Sequence, residues 1–170
     1  MQLRKLEDLF YDENTHLVEV LDKDAGGWVG GNKTRGYGIV VFEVRGLTFG
    51  IPLRSHVAVS NKHCYLTKGQ KGLDFSKAVL LTKEAYIADE VFRIPGAEYQ
   101  KLRDNEYVIE KKFQRYVDRY IKLCTETPES TVLGYEYRFS TLVNYHVELG
   151  IVEQAGAAAP AQAPATALVE

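Results

Sequence analysis

Cysteine is scarce in this chain: Cys64 and Cys124 are the only two among 170 residues and lie 60 positions apart. That spacing supports neither a disulfide framework nor a metal knuckle, so both read as reduced structural thiols. Long apolar runs are missing too, and nothing approaches the ~20 residues that span a bilayer. The segment Met1–Phe10 (MQLRKLEDLF) has neither a leader's apolar centre nor its small-residue cleavage site. The chain is therefore expected in the cytoplasm, with no membrane partner. HExxH, GxSxG and CxxC do not occur, which weakens metalloprotease, hydrolase and zinc readings. No metal and no cofactor are expected. Gly31-Asn32-Lys33-Thr34 resembles a phosphate loop only superficially, because asparagine intervenes before the lysine and a strand follows where a helix is needed.

What is present is a composition that suits one globular domain with a real core, 45% apolar and 26% charged. The net charge of −2 hides an asymmetry. From Trp28 to Lys77 stand Lys33, Arg35, Arg45, Arg54, Lys62, Lys68, Lys71 and Lys77 against Glu43 and Asp74 alone, a local +6 that leaves −8 for the rest. Such a basic centre is either a solvated lysine-rich face or an anion-binding surface.

Tyr37–Val44 (YGIVVFEV), Arg45-Gly46 and Leu47–Leu53 (LTFGIPL) read as two strands in a tight hairpin, rich in β-branched and aromatic residues. Pro52 cannot donate to a ladder, so the second strand is expected to end or reach an edge there, with Arg54, Ser55 and His56 at its exit. His63–Thr67 and Ala78–Leu81 are further strand candidates, and a short strand is possible around Val91–Ile94. Thr15–Leu21 reads as a short helix. Ala25–Gly36 (AGGWVGGNKTRG), with five glycines in twelve residues, reads as a surface loop, neither helix nor strand. Its Trp28 either stacks on a base or anchors the loop. From Tyr99 to Cys124, Leu102, Ile109, Phe113, Val117, Tyr120 and Cys124 recur at helical spacing, marking an amphipathic helix packed on the sheet. Pro128 closes it, and Phe139–Leu149 suggests a shorter final helix. The domain is expected over residues 1–150, and the Ala/Pro-rich residues 151–170 form a tail with too little large apolar surface to fold.

Cutting RNA without a metal needs a 2′-hydroxyl deprotonated, a phosphorane charge neutralised and the 5′-oxygen protonated. Arg54 and Lys77 are candidates for the charge, and His56 for proton transfer near neutrality. Ser55 is a candidate to hydrogen-bond a phosphate oxygen or position the hydroxyl. Each also has a structural reading: Ser55 as a cap on the chain leaving its strand, Asp74 as a turn former after Gly72, His63 as a packing partner.

Three runs together, GYGIVVFEVRGLTFGIPLRS (36–55), KGLDFSKAVLL (71–81) and the 99–120 helix, resemble the RNA-cleaving toxins of type III toxin-antitoxin systems, nearest the TenpN group and related to ToxN/AbiQ. The resemblance covers residues 1–150. It implies an α+β fold with a compact, strongly bent antiparallel β-barrel-like core of the MazF/PemK kind and packed helices. It also implies a metal-independent endoribonuclease acting in phage defence, held inactive by a repeated small antitoxin RNA that it processes, in a closed toxin-RNA assembly. Ser55 matches the serine after Pro-Leu-x, and Arg54 takes the place of the hydroxyl residue before it. Arg35 aligns with a basic residue ahead of the first core strand. The sequence departs from the ToxN pattern in carrying Val57 where that pattern has lysine, and Lys77 is the substitute, oriented by Asp74 and Ser76.

The expected activity is sequence-selective cleavage of mRNA or other single-stranded RNA to 2′,3′-cyclic phosphate and 5′-hydroxyl ends, carried by Ser55, Arg54, Lys77 and His56. Lys33, Arg35, Tyr37, Lys62, His63, Lys68 and Lys71, with Asp74 and Ser76, form the expected RNA groove. The alternatives are a non-catalytic small-barrel RNA-binding module and a protein-interaction domain.

Overall fold

The computed structural model describes residues 1–21, 23–24, 27–28, 38–58 and 61–151. Its elements run β1 (Leu3–Leu6), α1 (Asp8–Glu13), β2 (Lys23–Asp24), β3 (Gly27–Trp28), β4 (Ile39–Val44), β5 (Leu47–Arg54), β6 (Cys64–Lys68), β7 (Lys71–Asp74), β8 (Val79–Leu80), β9 (Ile87–Val91), α2 (Gly96–Asp104), α3 (Glu106–Glu126) and α4 (Thr131–Glu136). Short 3-10 turns occupy Phe75–Lys77, Glu84–Tyr86 and Thr141–Tyr145.

The fold is α+β. One seven-stranded sheet follows the order β6-β7-β5-β4-β1-β9, with β8 also on β5, and every pairing is antiparallel. Among the described residues β6 and β9 do not pair, so the sheet is open and not the closed barrel-like core expected above. β4 and β5 form the hairpin that their composition indicates. Arg45 and Gly46 both have positive φ (57° and 74°), the two-residue turn whose twist matches that of the strands.

Pro52 does not end β5. It lies buried inside the strand opposite Ile39. Leu53 sends its N–H to Gly38 O on the β4 side, so alternation points the absent Pro52 N–H at the other edge. There, pairing with β8 covers Phe49 and Gly50, and pairing with β7 starts only at Leu53. The proline sits in the gap between two partner strands, where no donor is required.

The amphipathic segment expected as one helix from Tyr99 is two, α2 and α3, broken at Asn105 (φ −115°, ψ 17°). Asn105 Nδ2 donates to Lys101 O, a side-chain bond that competes with helix continuation. α3 presents Ile109, Phe113, Tyr116, Val117 and Tyr120 to the core. Phe113 meets Phe49 of β5 edge-on at 5.3 Å and Phe75 at 5.6 Å, which fixes the helix against the sheet. α3 ends at Glu126, two residues before Pro128.

Other expectations move. Thr15–Leu21 is not helical; the helix is α1, earlier, while Leu17 and Val20 are buried from irregular backbone. The strand expected near Val91–Ile94 is β9, ending at Val91. The final helix is a five-residue 3-10 turn, Thr141–Tyr145, whose Leu142 N–H donates to Ser140 Oγ. Gly27 and Trp28, expected in a loop, pair with Lys23 and Asp24 as a two-stranded ribbon. The rest of the glycine-rich segment, Ala25–Gly26 and 29–36, lies outside the described residues, as does the tail from residue 152. Ile151 is buried in the core.

Candidate functional site

The β5 exit carries two constellations. In the first, Arg54 Nη1 donates to Asp74 Oδ2 at 2.6 Å, and the Asp74 carboxylate is fully buried. Asp74 Oδ1 accepts from both Ser76 N (3.0 Å) and Ser76 Oγ (2.6 Å), capping the 75–77 turn. Both oxygens of this buried carboxylate therefore have donors, and Arg54 is the cation that makes its burial tolerable.

In the second, Ser55 Oγ lies 3.0 Å from His56 Nδ1, and both residues are exposed. Ser55 also lines an open cleft of about 490 Å³ with Lys68, Gly69, Gln70, Lys71, Pro95, Ala97 and Glu98. The tight β6–β7 turn, with Gly69 at φ 57°, carries the two lysines. Val57 N donates to Gln70 O at 2.8 Å and holds the β5 exit beside that turn.

Glu98 is the residue that sequence reasoning missed. Its side chain is 8% exposed, yet it borders the cleft. Oε2 lies 2.9 Å from the Thr67 hydroxyl, while Oε1 has Lys71 Nζ at 3.7 Å. Thr67 sits where the β6–β7 register shifts, so its carbonyl is released from the ladder and taken by Lys101 Nζ at 3.0 Å. The bulge thus pins α2 to the hairpin. Thr67→Val is expected to leave a buried carboxylate oxygen without its donor and to cost about 1–3 kcal/mol. Urea unfolding measures this, and a loss under a few tenths would mean the tie is idle.

Lys77 stands apart from the cleft. Its side chain is 14% exposed, and Nζ donates to Glu19 O (2.7 Å) and Phe139 O (2.8 Å), with Glu19 Oε2 at 3.3 Å. It ties the 75–77 turn to two distant segments. Asp74 and Ser76, expected to orient it, are engaged with each other and with Arg54.

His63 packs between Tyr116 (4.8 Å) and Tyr137 (5.2 Å), with Glu136 Oε2 3.7 Å from its Nε2. Burial pushes its pKa below the ordinary histidine value, against the pull of Glu136. A histidine held neutral by the fold is charged more readily in the unfolded chain. Its contribution to stability is present above about pH 6.5, the unfolded value, and is lost as the pH falls below that and through the lower folded value. Burial raises the neighbouring phenols as well, Tyr137 up to about 12 and Tyr116 and Tyr120 further. This is a packed aromatic cluster. Lys62 is exposed beside it. Lys33, Arg35 and Tyr37 lie outside the described residues.

Of the expected site, the structure brings Ser55, Lys68 and Lys71 to one cleft, sets the His56 ring against the Ser55 hydroxyl, and places Arg54, Asp74 and Ser76 in an adjoining ion-paired cluster. Among the described residues no group of His, Cys, Asp and Glu is arranged to hold a metal ion, and no helix is long and apolar enough to cross a membrane. Comparison with protein-family models, with curated proteins and with solved structures finds no match to this chain.

Proposed function

We propose that this chain is a metal-independent endoribonuclease of single-stranded RNA, the toxin of a type III toxin-antitoxin system, with a core related to the MazF/PemK kind. The observation that carries the reading is Ser55 in a cleft wall shared with Lys68 and Lys71, with His56 Nδ1 3.0 Å from its hydroxyl. The resemblance of the 36–55 and 71–81 runs to the TenpN and ToxN/AbiQ toxins supports it from the sequence side.

In this reading the substrate phosphate lies against Lys68 and Lys71, whose ammonium groups offset the charge that builds on the phosphorane oxygens. The 2′-oxygen attacks phosphorus as its proton leaves, the P–O5′ bond breaks, and the 5′-oxygen takes up a proton. The products are a 2′,3′-cyclic phosphate and a 5′-hydroxyl. His56, whose ring meets the Ser55 hydroxyl at 3.0 Å, is the group assigned to exchange these protons, and Ser55 holds its ring. Arg54, paired with Asp74, and Lys77, tied to Glu19 and Phe139, shape the β5 exit and the 75–77 turn. The repeated antitoxin RNA would occupy the same cleft as a retained product, inside a cytoplasmic toxin-RNA assembly that acts against bacteriophage.

Incubating the protein with a mixed single-stranded RNA pool in EDTA is expected to give discrete fragments with 2′,3′-cyclic phosphate ends. RNA that binds and stays intact would establish instead a non-catalytic RNA-binding module. That second reading is favoured by one observation: among the described residues no carboxylate hydrogen-bonds the His56 ring to orient it. Neither binding nor cleavage would sink both readings.

A further inference from the structure

We propose that the shoulder of α3 facing β6 is a second RNA-binding surface, a cationic track that carries the RNA strand leaving the cleft. Lys112, Arg115, Arg119 and Lys122 recur at spacings of three, four and three residues and are all exposed. At 100° per residue they fall on one side of the helix, next to the face that Phe113, Tyr116 and Tyr120 bury. Lys112 Nζ lies over the Tyr65 ring of β6 at 5.5 Å, and β6 leads to Lys68 in the cleft wall. Lys101, at the Thr67 carbonyl, fills the interval.

The countercharges are few and placed at the far end. Arg119 meets Glu136 at 3.2 Å, the carboxylate that also faces His63, and Lys122 meets Glu126 at 3.7 Å with both side chains well exposed. No carboxylate pairs with Lys112 or Arg115 among the described residues. An exposed pair such as Lys122–Glu126 exchanges readily for a phosphate. Glu110 lies on the opposite side of the helix, and Asp118, which borders the track one turn from Arg115 and Lys122, has its carboxylate paired with Arg45 at 2.8 Å.

The shape selects the ligand. Lys112 to Lys122 covers about 15 Å of helix, and Tyr65 to Lys68 adds about 10 Å of strand. A narrow line of cations of that length, with an aromatic ring beneath one of them and a cleft at its end, suits a flexible polyanion with stackable bases. A flat anionic membrane would meet only part of it. The inference rests on the cleft being an RNA site, but not on its being catalytic.

The test compares the full-length protein with Lys112→Gln/Arg115→Gln, and with Lys5→Gln/Lys83→Gln as an equal charge change on and beside the β1–β9 end of the sheet. The α3 variant is expected to bind a 25-nucleotide single-stranded RNA roughly tenfold more weakly at moderate salt, with the log–log salt slope reduced by about 0.7 for each phosphate that is no longer neutralised. The control should match wild type, and a trinucleotide spanning the cleft alone should be bound, and if cut, cut, equally by all three. Unchanged affinity and slope in the α3 variant would overturn the track even if RNA is cleaved. The expected loss without any cleavage by wild type would uphold the track and remove the ribonuclease reading. Equal loss in the control, or a loss confined to binding of phosphatidylserine vesicles, would also overturn it.

Discussion

Replacing His56 with glutamine is expected to slow RNA cleavage by about 10²–10⁴-fold while leaving RNA affinity and the unfolding midpoint close to wild type. The reasoning is positional. His56 is exposed and its ring nitrogen has Ser55 Oγ as a partner at 3.0 Å, so removing it takes little from packing. Glutamine keeps polarity but cannot exchange a proton near neutrality. Ser55→Ala is expected to cost less, because a group that holds the ring in place contributes orientation and not the proton itself. Single-turnover rates with saturating protein separate the two effects from binding. If His56→Gln cleaved at the wild-type rate, the proton transfer would belong to another group and the cleft assignment would fall.

Arg54→Met is expected to have a large effect of another kind, a loss of about 3–5 kcal/mol in folding stability. Asp74 is fully buried, and its two hydrogen bonds from Ser76 remain after the substitution, but the one cation paired with it among the described residues is gone. Such a loss is a sizeable share of the roughly 5–15 kcal/mol that holds a domain together. Adding Asp74→Asn should return part of it, since an uncharged amide is far easier to bury than an unpaired carboxylate. Urea denaturation of the single and double variants measures both steps. A single-variant loss below about 1 kcal/mol, or a double variant less stable than Arg54→Met alone, would refute the pairing as the reason Asp74 is tolerated. Lost cleavage in an Arg54 variant would accordingly report on the fold before it reported on chemistry.

The β4–β5 hairpin and the α3 core face were legible because their signals are local: alternating β-branched residues around Arg45-Gly46, and apolar residues three and four apart. The exit residues Ser55 and His56 were legible for the same reason, as the chain just past a strand. Local signals misled where a partner strand decided the outcome. Pro52 reads as the end of a strand or a place at a sheet edge, but the need for a donor at its position depends on where β8 stops and β7 starts. Phe139–Leu149 has a helical apolar pattern, yet Ser140 and the short turn it caps end the segment as 3-10.

Lys77 and Glu98 exchange places for a similar reason. Lys77, one cation in a basic run, commits its ammonium to carbonyls from Glu19 and Phe139, residues 58 and 62 positions away. Glu98 looks like an ordinary acidic residue in the first turn of a helix, where it is favourable on any protein. Only the bulge at Thr67 makes it a buried wall of the cleft. The cations of α3 were likewise visible as letters, but their alignment with β6 follows from how Phe113 seats the helix on Phe49 and Phe75.

By itself the sequence determined the elements whose side chains repeat with the period of their own backbone, the turn that Arg45-Gly46 closes, and the stock of cations and titratable groups beside β5. The tertiary structure alone decided which of those groups face a cleft and which are consumed in holding the fold. Charge and hydrogen-bonding capacity belong to a residue, whereas burial and partners belong to the packing of segments far apart in the chain.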